Sequence, residues 1–174
     1  MTENDSLAER VAELERRLDA LTMPPVRTPS PDPSAGVPAD LFWALEGLKQ
    51  RVDADEPGAV LYTGTVGLPT GERYDWQYGT PVEALLEADW SAWADRLAAL
   101  GHPVRLRLLH RILSGVRTTA ELAADEELGT TGQLYHHLRH LVSAGWLQSA
   151  ARGRYTVPGE RVVPLLVILS GVRT

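Results

Sequence analysis

Cysteine is absent from this chain. Disulfide bonds, thiolate zinc sites and thiol redox switches are therefore excluded. The sequence also lacks an apolar run close to the roughly 20 residues that a membrane-spanning helix needs. Its first 21 residues are charged throughout, unlike the apolar core of a secretory signal. We therefore expect a cytoplasmic protein that has no membrane partner.

The motifs of common enzyme classes are missing as well. The sequence contains no Gly-rich phosphate loop and no carboxylate pair with a partner histidine on a recognisable scaffold. Ser170 and Gly171 lack the context of a nucleophile elbow. We therefore expect neither catalysis nor a bound cofactor.

Lysine occurs once, as Lys49, so arginine carries nearly all of the positive charge. That charge is unevenly distributed along the chain. Residues 1–94 hold 7 Arg or Lys and 17 Asp or Glu, a net charge of −10, whereas residues 95–174 hold 10 Arg and 6 Asp or Glu, a net charge of +4. Such segregation can indicate a basic module with a polyanionic partner, and it can equally be a surface unevenness without function.

Residues 1–23 are predicted to form a short amphipathic helix. Ser6 and Glu9 have the spacing of a capping box at its start. Apolar residues then recur at alternating steps of four and three, as in a coiled-coil seam: Leu7, Val11, Leu14, Leu18 and Leu21. Two heptads are too short to be stable alone, so we expect them to pair with a second copy or with the body of the protein.

Two further segments separate this helix from the basic half. Residues 24–38 contain six prolines and are predicted to be a semi-rigid linker. Residues 39–92 are acidic and predict a helix, a β-hairpin of Ala59–Val66 and Arg73–Tyr78, and a second helix with Thr80 as its N-cap. We expect this region to serve dimerisation or ligand sensing.

Residues 93–174 predict three successive helices and a short hairpin. Gly101, Gly115, Gly129 and Gly145 mark helix ends or turns, while Pro103 suits a helix start. Capping boxes are predicted at Thr118 with Glu121 and at Thr130 with Gln133. The segment WLQSAARGRYTV, residues 146–157, alternates around a small-residue turn. This order of elements is typical of a winged helix-turn-helix, whose recognition helix enters the major groove of DNA.

Three of the five histidines fall within the predicted recognition helix, residues 130–143. Because Leu134 and Leu138 mark its buried side, His136 and His140 should face outward and His137 should lie at the core boundary. The spacing of His136 and His140 can chelate zinc or nickel. A third ligand is not evident, so we expect histidines that face DNA or solvent, and no metal site.

The segments LAALGHPVRLRLL and TGQLYHHLRHLVSAGWL resemble the ArsR-type (arsenic-repressor-like) winged-helix regulators over about residues 93–157. Members of that family are dimeric transcriptional repressors that bind inverted repeats and are released by an inducer. The resemblance implies DNA contacts by Thr130, Thr131, Gln133, Tyr135, His136 and Arg139 of the helix and by Arg152 and Arg154 of the wing. His140 joins this set because it lies on the same outward side.

The chain departs from the family in its sensing sites. The helix that often carries metal-binding cysteines has none here, and the C-terminal segment offers only Glu160 as a ligand. Neither metal site can be transferred. The C-terminal run that contains Val163, Leu166 and Val167 is instead predicted to close a dimer interface.

We therefore expect a mainly α protein with small β elements, an α+β fold. Its expected role is that of a DNA-binding transcriptional regulator, most simply a repressor, that acts as a homodimer at the nucleoid. The alternative is a protein-interaction or ligand-sensing scaffold that uses the same fold without DNA. The tryptophans Trp43, Trp76, Trp90 and Trp93 are expected in a core or dimer interface, or around a small organic inducer.

Overall fold

The computed structural model describes residues 42–53, 55–150 and 153–173. The predicted helix of residues 1–23, the linker of residues 24–38 and Arg152 lie outside these ranges. Residues Ala44–Thr174 form one compact unit of mixed helix and sheet, which confirms the α+β class. In the part of the chain that the structure describes, no helix is long and apolar enough to cross a membrane.

The acidic region contains the predicted hairpin. Helix α1 spans Trp43–Lys49, and the strands β1 (Ala59–Gly67) and β2 (Arg73–Pro81) pair in antiparallel register. The turn between them is closed by a hydrogen bond of 2.9 Å from the Leu68 amide to the Glu72 carbonyl. The Gly/Pro-rich turn therefore joins two β-rich segments as the sequence predicted.

The second strand is longer than expected. Thr80 pairs with Val60 inside the sheet, and helix α2 (Val82–Glu87) begins only after Pro81, without a side-chain cap. The prediction that Thr80 caps this helix is therefore wrong. The amide of Val82 donates instead to the Gly58 carbonyl at 2.9 Å, so the ladder extends into the helix start.

The basic half is a series of helices: α3 (Ala94–Leu100), α4 (Pro103–Leu113), α5 (Thr119–Ala123) and α6 (Thr131–Ser143). One-turn 3₁₀ helices at Trp90–Trp93 and Glu126–Leu128 precede α3 and α6. The predicted capping boxes are confirmed at the starts of α5 and α6. Each start is thus fixed by residues three positions apart.

Helix α5 is shorter than the sequence suggested. It ends at Ala123. The backbone of Asp125 is extended, and the Asp125 carboxylate accepts a hydrogen bond from the Glu127 amide at 3.2 Å. Asp125 therefore caps a separate 3₁₀ turn. Leu128 on that turn is buried in the core.

A second hairpin follows α6. Strands β3 (Gln148–Ala150) and β4 (Arg154–Thr156) are antiparallel. The Tyr155 amide donates to the Arg117 carbonyl at 2.8 Å. The backbones of Arg154 and Thr118 form an isolated antiparallel β-bridge. The hairpin is therefore attached to the segment that leads into α5. Helix α7 (Gly159–Gly171) ends the described fold.

The core is built by the helices of the basic half. Its largest fully buried side chains are Leu108, Leu109, Ile112, Leu122, Leu128, Leu134, Leu138, Leu141, Val162, Val163 and Leu165. The β1–β2 hairpin packs on α7. A Cβ at Gly64 would lie 2.7 Å from Val163 Cγ1, so glycine is what allows this approach.

One expectation changes because of this packing. Val163 is 1% exposed and is covered within its own chain, which removes it from any surface offered to a second copy. Leu166 and Val167 are partly exposed, and their role in dimerisation stays a prediction. The hairpin and the helices of the basic half belong to one compact unit, and the division into regions at residues 92 and 93 stays a prediction.

Candidate functional site

Helix α6 has one buried side and one exposed side. Leu134, Leu138 and Leu141 are buried in the core. The opposite side exposes polar and aromatic side chains that the sequence assigned to DNA binding: Thr131, Gln133, Tyr135, His136 and Arg139. His140 is half-buried beside them. Because 3.6 residues make one turn, these exposed positions lie together along one surface of the helix, hereafter the α6 outer face.

The N-terminus of α6 fixes the side chain of Gln133. Its Oε1 accepts from the Thr130 amide at 2.9 Å and from the Thr130 hydroxyl at 3.1 Å. The side-chain nitrogen of Gln133, Nε2, is then the atom with which this side chain can donate a hydrogen bond to a ligand. Gly129, at φ +82°, leaves room for this arrangement, since a Cβ there would lie 2.6 Å from Gln133 Oε1.

The α6 outer face carries positive charge and no acidic side chain of its own. Residues 128–159 contain no Asp or Glu, while Arg139 and Arg154 are exposed. Two of the three acidic residues just before α6 are paired with arginines of α4: Glu127 with Arg107, and Asp125 with Arg111 at 3.3 Å. The third, Glu126, is exposed. These pairs reduce the negative charge next to the helix N-terminus, where an anion would otherwise be repelled.

The β3–β4 hairpin presents Arg154 to solvent beside the start of α5. The hydroxyl of Thr119 donates to the Gly153 carbonyl at 3.2 Å and ties the turn to that helix. Helix α5 in turn packs against α6. The hairpin is thus held by the same helices that support the α6 outer face.

The histidines of α6 are joined by a fourth from outside the helix. The ring of His137 lies 4.7 Å from that of His102, and the ring of His136 lies 5.5 Å from His137 and 6.5 Å from His140. Burial lowers the pKa of His137 below its usual value, and nearby His102, His136 and Arg105 lower it further. Among the described residues, no group of three or more His, Asp or Glu side chains is arranged to hold a metal ion.

Two residues of this region were not identified from the sequence. His102 Nδ1 accepts from the Val104 amide at 3.2 Å and caps α4. Arg105 is buried, and its guanidinium donates to the carbonyls of Ala98 at 2.8 Å and Ala99 at 2.5 Å. Pro103 signals the helix start, but no local pattern reveals that an arginine two residues later turns into the core.

The chain matches no protein-family model, no curated protein and no solved structure. The ArsR resemblance therefore stays a prediction, and the functional assignment depends on the geometry of the chain itself.

An apolar surface lies apart from the α6 outer face. It consists of exposed side chains on α2, the first 3₁₀ turn and α3: Leu86 (67% exposed), Trp90 (60%), Trp93 (37%) and Leu97 (55%). The Trp90 indole donates to the Leu85 carbonyl at 2.7 Å, which fixes its ring in the exposed position. We call these four residues the Trp90 surface. A core position is thus wrong for Trp90, and also for Trp43, which is exposed.

A shallow groove of about 280 Å³ lies between α1 and the start of β1. Its lining is apolar apart from one lysine: Leu45, Leu48, Lys49, Val52, Gly58 and Ala59. No tryptophan lines it, so it does not provide the aromatic cavity expected for a small organic inducer. Such an inducer stays a prediction.

Proposed function

We propose that this protein is a transcriptional regulator that binds double-stranded DNA through a winged helix-turn-helix. The observation that carries the proposal is the α6 outer face: a polar, acid-free surface on a 13-residue helix whose other side is anchored by buried leucines. A helix of this length fits the major groove, which admits one α-helix. The order α4, α5, α6, hairpin supports the same fold.

The side chains divide into two roles. In this proposal the side-chain nitrogen of Gln133 and the ring of His136 contact base edges, where a donor can meet a purine acceptor. Thr130, Thr131, Tyr135, Arg139 and His140 of α6 and Arg152 and Arg154 of the wing contact the phosphate backbone. Such contacts set register and affinity rather than sequence preference.

We further propose that the regulator is a homodimer. One chain provides one recognition helix, and a two-fold partner supplies the second half-site about 34 Å away. The Trp90 surface supports this, since large contiguous exposed apolar patches mark protein–protein interaction sites. Leu166, Val167 and the heptad residues Leu7–Leu21 are further dimer contacts in this proposal.

The experiment compares two arginine substitutions of equal charge. Arg139→Ala removes a proposed phosphate contact, whereas Arg73→Ala removes an exposed arginine on the β1–β2 hairpin. Binding to a genomic DNA pool is measured as salt is raised. Relative to the wild type, we expect the slope of log affinity against log salt concentration to become less steep by about 0.9 for Arg139→Ala and to be unchanged for Arg73→Ala. Equal slopes for the two variants would contradict the proposal.

A protein-interaction scaffold is the second candidate, and the exposed Trp90 surface favours it. In that case the wild-type protein shifts no DNA at low salt. A Trp90→Ala variant would then lose a protein partner, while Arg139→Ala would keep it.

A further inference from the structure

Four histidine rings lie in contact where α6 meets the loop before α4: His102, His136, His137 and His140, hereafter the histidine cluster. Histidine is the side chain whose charge ordinarily changes near neutral pH. The cluster occupies the middle of the helix to which we assign DNA binding. Its charge therefore bears directly on the affinity for a polyanion.

The inner side of the histidine cluster favours an uncharged ring at His137. His102 Nδ1 accepts a hydrogen bond from the Val104 amide at 3.2 Å. The pKa of His137 is lowered by burial and by neighbouring positive groups, among them the buried guanidinium of Arg105. The Nδ1 atoms of His137 and His140 are buried without a hydrogen-bond partner.

The outer side of the histidine cluster differs. His136 is exposed, and His140 is partly exposed one turn further along α6. Arg139 lies between them in sequence, and the helix carries no Asp or Glu that would stabilise an imidazolium. A phosphate or a purine acceptor placed against this face would stabilise an imidazolium at His136.

We propose that DNA binding is coupled to the uptake of a proton by His136, so that affinity rises as the pH falls from about 8 to about 6. The proposal rests on the function assigned to α6 above. Each proton taken up contributes at most a tenfold increase in affinity per pH unit. A protonated imidazole carries two N–H donors and one positive charge, whereas a neutral ring has one N–H donor and no charge.

The full chain first selects a duplex of about 40 base pairs from a random pool, a length sufficient for two half-sites one turn apart. The affinity of each protein variant for this labelled duplex is then measured. The His136→Gln variant keeps a polar side chain at this position but cannot take up a proton there. His110→Gln is the matched control, because His110 is exposed on α4 and lies outside the histidine cluster. Unfolding curves at both pH values verify that each variant is folded.

We expect wild type and His110→Gln to bind at least about tenfold more tightly at about pH 6 than at about pH 8. The His136→Gln variant should show no such dependence. The wild-type salt slope should also be steeper at the lower pH by up to about 0.9 for each imidazolium–phosphate contact.

The outcomes separate the two proposals. DNA binding of equal strength at both pH values, or weaker binding at the lower pH, overturns the proton-uptake inference and leaves the regulator proposal standing. Failure of the wild type to select or bind any duplex at either pH overturns the regulator proposal itself.

Discussion

The ion pair between Glu72 and Arg117 connects the β1–β2 hairpin to the segment before α5. Arg117 Nη1 donates to Glu72 Oε1 at 3.0 Å, and its Nη2 donates to Oε2. Thr70 adds a hydroxyl donor to the same carboxylate at 2.6 Å. Replacing Glu72 with glutamine removes the charge while keeping the size, so the variant isolates the ionic contribution.

The magnitude follows from the pKa of Glu72. The hydrogen bond from Arg117, then that from Thr70, lowers this pKa from 4.5 to about 2. The full shift would correspond to about 3 kcal/mol of stability. Because 39% of the Glu72 side chain is exposed, against 13% for Arg117, solvent screening reduces the expected contribution to about 1 kcal/mol.

The pH dependence has a definite sign. Because the pKa of Glu72 is lowered in the folded state, the contribution of its ionised carboxylate to the free energy of unfolding is fully present above pH 4.5. This contribution is lost as the pH falls toward about 2. At neutral pH we expect the free energy of unfolding of Glu72→Gln to be about 1 kcal/mol lower than that of the wild type. The difference should shrink as the pH falls below 4.5.

The assay is denaturant unfolding followed by tryptophan fluorescence, with Trp146 as a buried probe. Asp75→Asn is the control, because it removes an exposed carboxylate from the adjoining strand β2. A double-mutant cycle with Arg117→Met gives the coupling energy directly, expected at about 1 kcal/mol. A coupling energy below about 0.3 kcal/mol would refute the claim that this pair links the hairpin to the basic half.

Three further predictions concern the site and its support. Gly129→Ala should cost about 1–2 kcal/mol in unfolding free energy, because it forces a left-handed conformation onto alanine and displaces Gln133; no loss in denaturant unfolding would count against the cap geometry. Leu138→Ala should cost about 2–5 kcal/mol in the same assay, since Leu138 is fully buried behind the α6 outer face; an unchanged midpoint would contradict this packing. Trp90→Ser with Leu97→Ser should shift sedimentation equilibrium toward monomer without unfolding the chain, and an unshifted dimer would remove the Trp90 surface from the interface.

Local signals predicted what local interactions decide. The capping boxes at Thr118 and Thr130 need only residues three positions apart, and both are present. The leucine stripe of α6 follows from the period of the helix, and its members are buried as predicted. The exposure of His136 on the opposite side is a consequence of the same period.

Contacts between distant segments could not be read in this way. His102 and His137 are 35 positions apart, and neither position signals the other. The approach of Gly64 to Val163 is decided by how the hairpin packs on α7. It reverses the role expected for Val163, since an apolar run alone does not say whether its own chain or a second copy will cover it.

The central claim is that the α6 outer face binds a DNA groove. The most direct test is to titrate the isotope-labelled full chain with a duplex selected from a random pool and to follow its backbone amide signals by NMR. We expect the largest shifts at Thr131–Ser143, with a second group at Arg154–Thr156, while β1 and the Trp90 surface change little. Shifts confined to the β1–β2 hairpin or the Trp90 surface, or none at all, would contradict it.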